Sequence, residues 1–238
     1  MKKILALLLA GGLLVLASPG LAAPTAKEAA AKKALQELHE FVGGWKGTGG
    51  PKLNPAKGAP FWEEQVNWGW KFKGDACWMV VEFKGGKFLS KAELKYDPDK
   101  KKYVLTGTPV KGTGTLTFTG TFSDDKLTLE RIDPDTKETQ RFRINTAAEG
   151  IRLIYLVDRK AEGATLWKPE FAIQSTKLGE SLAKSEKGPE CVVSGGRGTS
   201  TVSYMGETFY ICCSGCAEAF RDNPKKYVDE FKAKKKKK

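Results

Sequence analysis

Four cysteines stand close together near the C-terminal end of this 238-residue chain: Cys191, Cys212, Cys213 and Cys216. Twenty residues separate Cys191 from Cys212, and three separate Cys212 from Cys216. Thiolates are soft donors, so sulfurs gathered at one point would hold a soft metal ion: Cu(I), zinc, Hg(II) or Cd(II). The same sulfurs could instead pair. A bridge from Cys191 to Cys212 or Cys216 would staple a small module by about 2–4 kcal/mol. Cys212 with Cys213 would make a strained vicinal bridge, and redox chemistry is a third reading. Adjacent residues have poor bridge geometry. Structural zinc asks for four ligands, whereas three thiolates without histidine suit trigonal Cu(I), so copper is favoured over zinc.

The intervening residues must bring Cys191 to the other three. Thr199 to Tyr204 is rich in β-branched and hydroxyl side chains, Met205-Gly206-Glu207 can turn, and Thr208 to Ile211 returns, which predicts a hairpin. Ala217 to Arg221 reads as helix, and Pro224 marks a stop before a short helix over Lys225 to Phe231. A hairpin running into a helix start places distant thiols beside backbone N–H groups, where negative charge is favoured. Cys191, the block GETFYICCSGC, Phe220, Asn223-Pro224 and Tyr227 make this stretch resemble the YHS and TRASH group of small heavy-metal-binding domains. The resemblance implies Cys191, Cys212 and Cys216 as the metal ligands. Cys213 stands where relatives often carry a small polar residue, and it is kept as a further candidate.

The chain opens with two lysines, an apolar run from Ile4 to Ala17 and then small residues, the pattern of a signal peptide over 1–22. That predicts a secreted or periplasmic protein, and no cysteine closely follows the run to carry a lipid anchor. The formal net charge is +12. Much of it lies in a lysine-rich tail, 232–238, which reads as a solvated end and could dock on an anionic envelope surface. Export argues against nucleic acid as the partner. A polar stretch, 177–190, reads as a linker between a larger domain at 25–176 and the cysteine module at 191–231.

The larger domain begins with a predicted helix over Ala26 to Val42, with Leu35, Leu38 and Val42 on one stripe. His39, the only histidine, reads as a surface residue on that helix, which argues against haem. Alternating runs follow: Val66-Trp68-Trp70-Phe72, Cys77-Met79-Val81-Phe83, Ala92-Leu94-Tyr96, and further pairs as far as Phe171-Ile173. Turn residues separate them, so the fold class is mainly β, an antiparallel barrel preceded by a helix. Gly43, Gly44, Trp45 and Gly47, after a helix, resemble the opening of lipocalin-like, calycin-type barrels. That resemblance implies a carrier of small apolar ligands, with Trp45, Trp62, Trp68 and Trp70 lining a cavity or else filling the core. Cys77 is expected to be buried, and the pairs Glu63-Glu64 and Asp124-Asp125 to be exposed. No hydrolase or phosphate-loop signature is present, and catalysis is not indicated. The chain thus reads as an exported, non-catalytic binder of a soft metal ion, for sensing, storage or delivery. The competing reading is a small-molecule carrier with a disulfide-stapled accessory module.

Overall fold

The computed structural model describes residues 24–51, 58, 60–179 and 188–236. The expected signal peptide and most of the expected linker lie outside the described residues. The alanine-rich segment forms α1 (Ala26–Gln36). Its start is a reciprocal cap: Thr25 Oγ accepts the Glu28 N–H, and the Glu28 carboxylate accepts the Thr25 N–H. The helix ends earlier than the expected Val42. A 3-10 turn at His39–Phe41 redirects the chain and seats the Phe41 ring at the barrel base, 5.4 Å from Trp68 and 6.4 Å from Phe122. Trp45 Nε1 then donates to the Phe41 carbonyl at 2.8 Å.

Ten strands follow: β1 (Gly43–Gly50), β2 (Trp62–Lys73), β3 (Ala76–Lys84), β4 (Leu89–Asp97), β5 (Lys102–Pro109), β6 (Leu116–Ser123), β7 (Lys126–Ile132), β8 (Thr139–Ala147), β9 (Arg152–Lys160) and β10 (Lys168–Lys177). Each pairs with its successor, and β1 pairs with β10 to close the barrel, as the alternating runs predict. Inward positions are mostly apolar. Outward ones, such as Lys91, Glu93 and Lys95 on β4, are charged, the reverse of a barrel whose outer wall faces lipid. Gly49 on β1 has a visible reason: a Cβ there would lie 2.3 Å from the Trp62 ring. Trp45, Trp68 and Trp70 belong to the buried core, and Cys77 is buried as expected.

The two ends of the barrel differ. At the base, α1 covers the opening, and Tyr103 donates its O–H to the Ala34 carbonyl at 2.8 Å. Toward the other end lies a lattice of rings, with Phe88 5.2 Å from Phe142 and Phe142 5.4 Å from Phe118. Here one expectation is corrected. Glu64 is not an exposed strand position: it faces inward, is 1% exposed, and accepts from the Tyr155 hydroxyl and from Trp62 Nε1. Alternation along β2 makes the difference, since Glu64 shares the parity of Val66 and Trp68 while Glu63 does not. Asp124 and Asp125 do lie in a turn, both at positive φ.

The C-terminal region comprises the hairpin β11 (Ser200–Tyr204) and β12 (Glu207–Ile211), then α2 (Ser214–Asp222) and α3 (Pro224–Lys235). Met205 and Gly206 both have positive φ, the geometry of a tight two-residue hairpin turn. The lysine run does not begin as a loose tail. It continues α3 through Lys235, because lysine is a good helix former and its neighbours supply counter-charges. Lys232 reaches Glu207 at 2.6 Å, and Lys234 reaches Glu190 at 2.5 Å.

This region docks on the barrel. β1 starts at Gly43, opposite Trp68, so β2 beyond Trp68 has no strand on that side, and the start of α2 lies there instead. Gly215 permits the approach, since a Cβ would fall 1.6 Å from the Trp70 carbonyl oxygen. Around this contact, Phe72 meets Tyr227 edge-on at 6.4 Å, Lys226 pairs with Asp75, and Lys71 pairs with Glu218. Gln36 on α1 donates to the Ser194 carbonyl at 2.7 Å. Buried apolar residues of both parts form one continuous cluster.

Candidate metal centre

Three local features converge on one point. After Cys191 the chain folds back in a short loop: Cys191 N–H donates to the Gly196 carbonyl at 2.6 Å, and Gly195 N–H to the Cys191 carbonyl at 2.9 Å. Gly195 takes the left-handed conformation at φ +78°, which glycine adopts without steric cost. The loop is held beside β12 by a parallel bridge from Cys191 to Tyr210 and by Val192 N–H donating to the Tyr210 carbonyl. Cys212 follows the last residue of β12, and Cys216 lies in the first turn of α2.

The sulfurs of Cys191, Cys212 and Cys216 all lie within 4.8 Å of one another, and Cys212 and Cys216 are 3.5 Å apart. A trigonal ion with bonds of about 2.3 Å needs its sulfurs about 4 Å apart, so the cluster is near that size already. Cys191 and Cys216 are 0% exposed and Cys212 is 8% exposed. All five cysteines are free thiols, so the bridges considered from the sequence are not formed.

Protons are unevenly placed in the cluster. Hydrogen bonds from the Cys212 and Cys216 thiols hold Cys191 well below the ordinary thiol range. Cys216 is pushed far up because it donates to Cys191 and is buried, and Cys212 is pushed up for the same reasons. An ion bound by all three sulfurs must therefore displace protons, chiefly from Cys212 and Cys216.

Cys213 is directed elsewhere. Its sulfur lies 3.9 Å from Cys212 Sγ and accepts the backbone N–H of Trp70 at 3.4 Å. It stands at the N-cap of α2 and is only half-buried. His39 is exposed with Nδ1 against the Gln36 carbonyl, outside the cluster. Among the described residues, no histidine or carboxylate joins the three sulfurs.

Ser194 is the functional neighbour that sequence reasoning missed. It is 1% exposed, its N–H points at Cys191 Sγ (3.5 Å), and its hydroxyl lies 3.3 Å from Cys212 Sγ. The Ser194-Gly195-Gly196 turn so soon after Cys191 was the available signal. The aromatic residues of the motif have structural duties. Phe220 packs on Phe209 and Tyr204 of the hairpin, and Asn223 caps α3 through the Lys226 N–H.

Residues 197–230 match the family model of the YHS domain. The match takes in Cys212, Cys213 and Cys216, while Cys191 lies just ahead of it. No curated protein matches the chain.

Proposed function

We propose that this chain is an exported, non-catalytic protein that binds one soft heavy-metal ion through Cys191, Cys212 and Cys216, for sensing, storage or delivery. The observation that carries the reading is the approach of three buried sulfurs, from a loop, a strand end and a helix start, to within 4.8 Å, two of them inside the segment that matches the YHS domain and Cys191 just ahead of it. The donor set favours Cu(I) over zinc. A fourth thiolate for tetrahedral zinc would have to come from Cys213, at the expense of its bond to Trp70. Three sulfurs with no nitrogen or oxygen ligand match the softer, lower-coordinate ion. Export is supported by the lysine–apolar–small pattern over 1–22.

Anaerobic purification, elemental analysis and thiol counting test the proposal. The expected result is about one copper per chain, displaced by acid as the thiolates regain protons. A metal-free protein that also fails to take up Cu(I) or zinc when titrated would end it. Uptake of zinc alone, with all four cysteines protected from alkylation, would replace copper by a four-sulfur zinc site.

A further inference from the structure

The end of the barrel away from α1 differs from its base in a way that the metal site does not explain. Five connections meet there: β1–β2, β3–β4, β5–β6, β7–β8 and β9–β10. Of the large apolar side chains that are exposed among the described residues, four belong to this end: Phe61 (70%), Val110 (44%), Ile132 (68%) and Leu166 (78%). Each comes from a different connection or strand end. At the base a single such residue, Leu178 (55%), follows β10, and the turns there carry charges of both signs, Asp99, Asp124, Asp125 and Glu149 beside Lys100, Lys101 and Lys126. Single exposed apolar residues are ordinary, but a ring of them at one end of a molecule is not.

Charge at the same rim is biased. Lys84, Lys87, Lys111 and Lys168 are exposed and form no ion pair among the described residues. The rim carboxylates are largely neutralised: Asp133 by Arg131 at 3.2 Å, and Glu138 and Glu170 by Arg159 at 3.4 and 2.6 Å. Among the described residues, Glu82, Glu130, Asp135 and Glu162 remain without an ion pair, against exposed Lys84, Lys87, Lys91, Lys111, Lys137 and Lys168. Apolar tips alternating with unpaired cations match a surface that offers hydrocarbon beneath a layer of negative charge. A second copy meeting rim to rim does not match, because it would set lysine against lysine.

We infer that the barrel rim away from α1 docks on an anionic lipid bilayer, with Phe61, Val110, Ile132 and Leu166 entering the headgroup layer and the rim lysines engaging lipid phosphates. This contact is separate from the lysine run of α3, where Lys232 and Lys234 are held by the protein's own carboxylates. It is also independent of metal binding.

The test uses the full chain in flotation assays with phosphatidylcholine vesicles and with mixed phosphatidylcholine–phosphatidylglycerol vesicles. Binding is expected only to the mixed vesicles, and it should weaken as salt is raised. The double variant Ile132→Asp/Leu166→Asp, altered at two exposed sites, should reduce partitioning about tenfold or more. Lys234→Ser/Lys235→Ser/Lys236→Ser should leave partitioning within about twofold, by the same reasoning. Three results would overturn the inference: no binding to the mixed vesicles, binding that the aspartate pair leaves intact, or a dimer in sedimentation that the aspartate pair dissolves.

Discussion

Gly215→Ala separates the docked arrangement from a loosely tethered module, because the two predict effects of opposite sign. Gly215 lies in the first turn of α2 and is not among the glycines with positive φ. Helix propensity alone would therefore have alanine stabilise the protein by up to about 1 kcal/mol. The structure says otherwise. The added methyl would sit 1.6 Å from the Trp70 carbonyl oxygen and 2.7 Å from its carbon, both rigid backbone atoms. Ordinary contact begins at 3.4 Å, so α2 must withdraw from β2 by about 1.8 Å, a large displacement in a close-packed interior. That movement takes Cys213 Sγ beyond reach of the Trp70 N–H. Overpacking costs about 1–3 kcal/mol and the lost hydrogen bond about 1 kcal/mol. The expected destabilisation is thus about 2–4 kcal/mol, or a fall in Tm of about 4–16 °C for a chain of this size. Thermal and urea unfolding followed by circular dichroism reads it directly. Ser214→Ala, at the exposed neighbouring position, should stay within about 0.5 kcal/mol of wild type. A Gly215→Ala protein as stable as wild type, or more so, would refute the docking.

Other substitutions probe the sulfurs and the barrel. Cys191→Ser, Cys212→Ser and Cys216→Ser should each abolish stoichiometric uptake of the proposed soft metal ion, whereas Cys213→Ser should retain about one ion per chain; elemental analysis of the four proteins decides. Glu64 has its carboxyl raised above the ordinary value of 4.5 by burial, against the opposing bonds from Tyr155 and Trp62. Its contribution is whole below that ordinary value and is lost as pH climbs through the raised one. The Tm of Glu64→Gln, relative to wild type, should accordingly improve from acid to mildly alkaline pH; a flat or falling difference contradicts the assignment. Phe41→Ala empties the barrel base beneath Trp68 and Phe122 and should cost about 3–5 kcal/mol in urea titrations. A loss well under 1 kcal/mol would show that the ring is not a plug.

The barrel was legible because its signal is local. Val66, Trp68 and Trp70 alternate with polar neighbours, and each later run repeats the pattern between turn residues, so strand number and inward face follow from period alone. The hairpin was legible for a similar reason, since the turn at Met205-Gly206 fixes its register, whereas the set Cys191, Cys212 and Cys216 came from the resemblance to the YHS and TRASH domains. What the sequence hid is contact between distant segments. Nothing around Gly215 announces that Trp70, far earlier in the chain, requires its missing side chain, and Cys213 looks like one more ligand until the Trp70 N–H is beside it. Glu64 was misread because an acidic pair on a strand has two parities, and its charge outweighed its phase. The length of α3 was misread because Lys232 and Lys234 have their carboxylate partners on other elements.

The late start of β1 leaves a short run of β2 whose backbone has no neighbouring strand, and the cysteine-bearing segment is the cover. A protein trimmed to the barrel alone would bare that strip of amides and carbonyls, an invitation to β-pairing between molecules. Separating the two parts should therefore yield an aggregation-prone barrel rather than a tidy fragment. Any event that loosens the cysteine segment would expose the same adhesive seam.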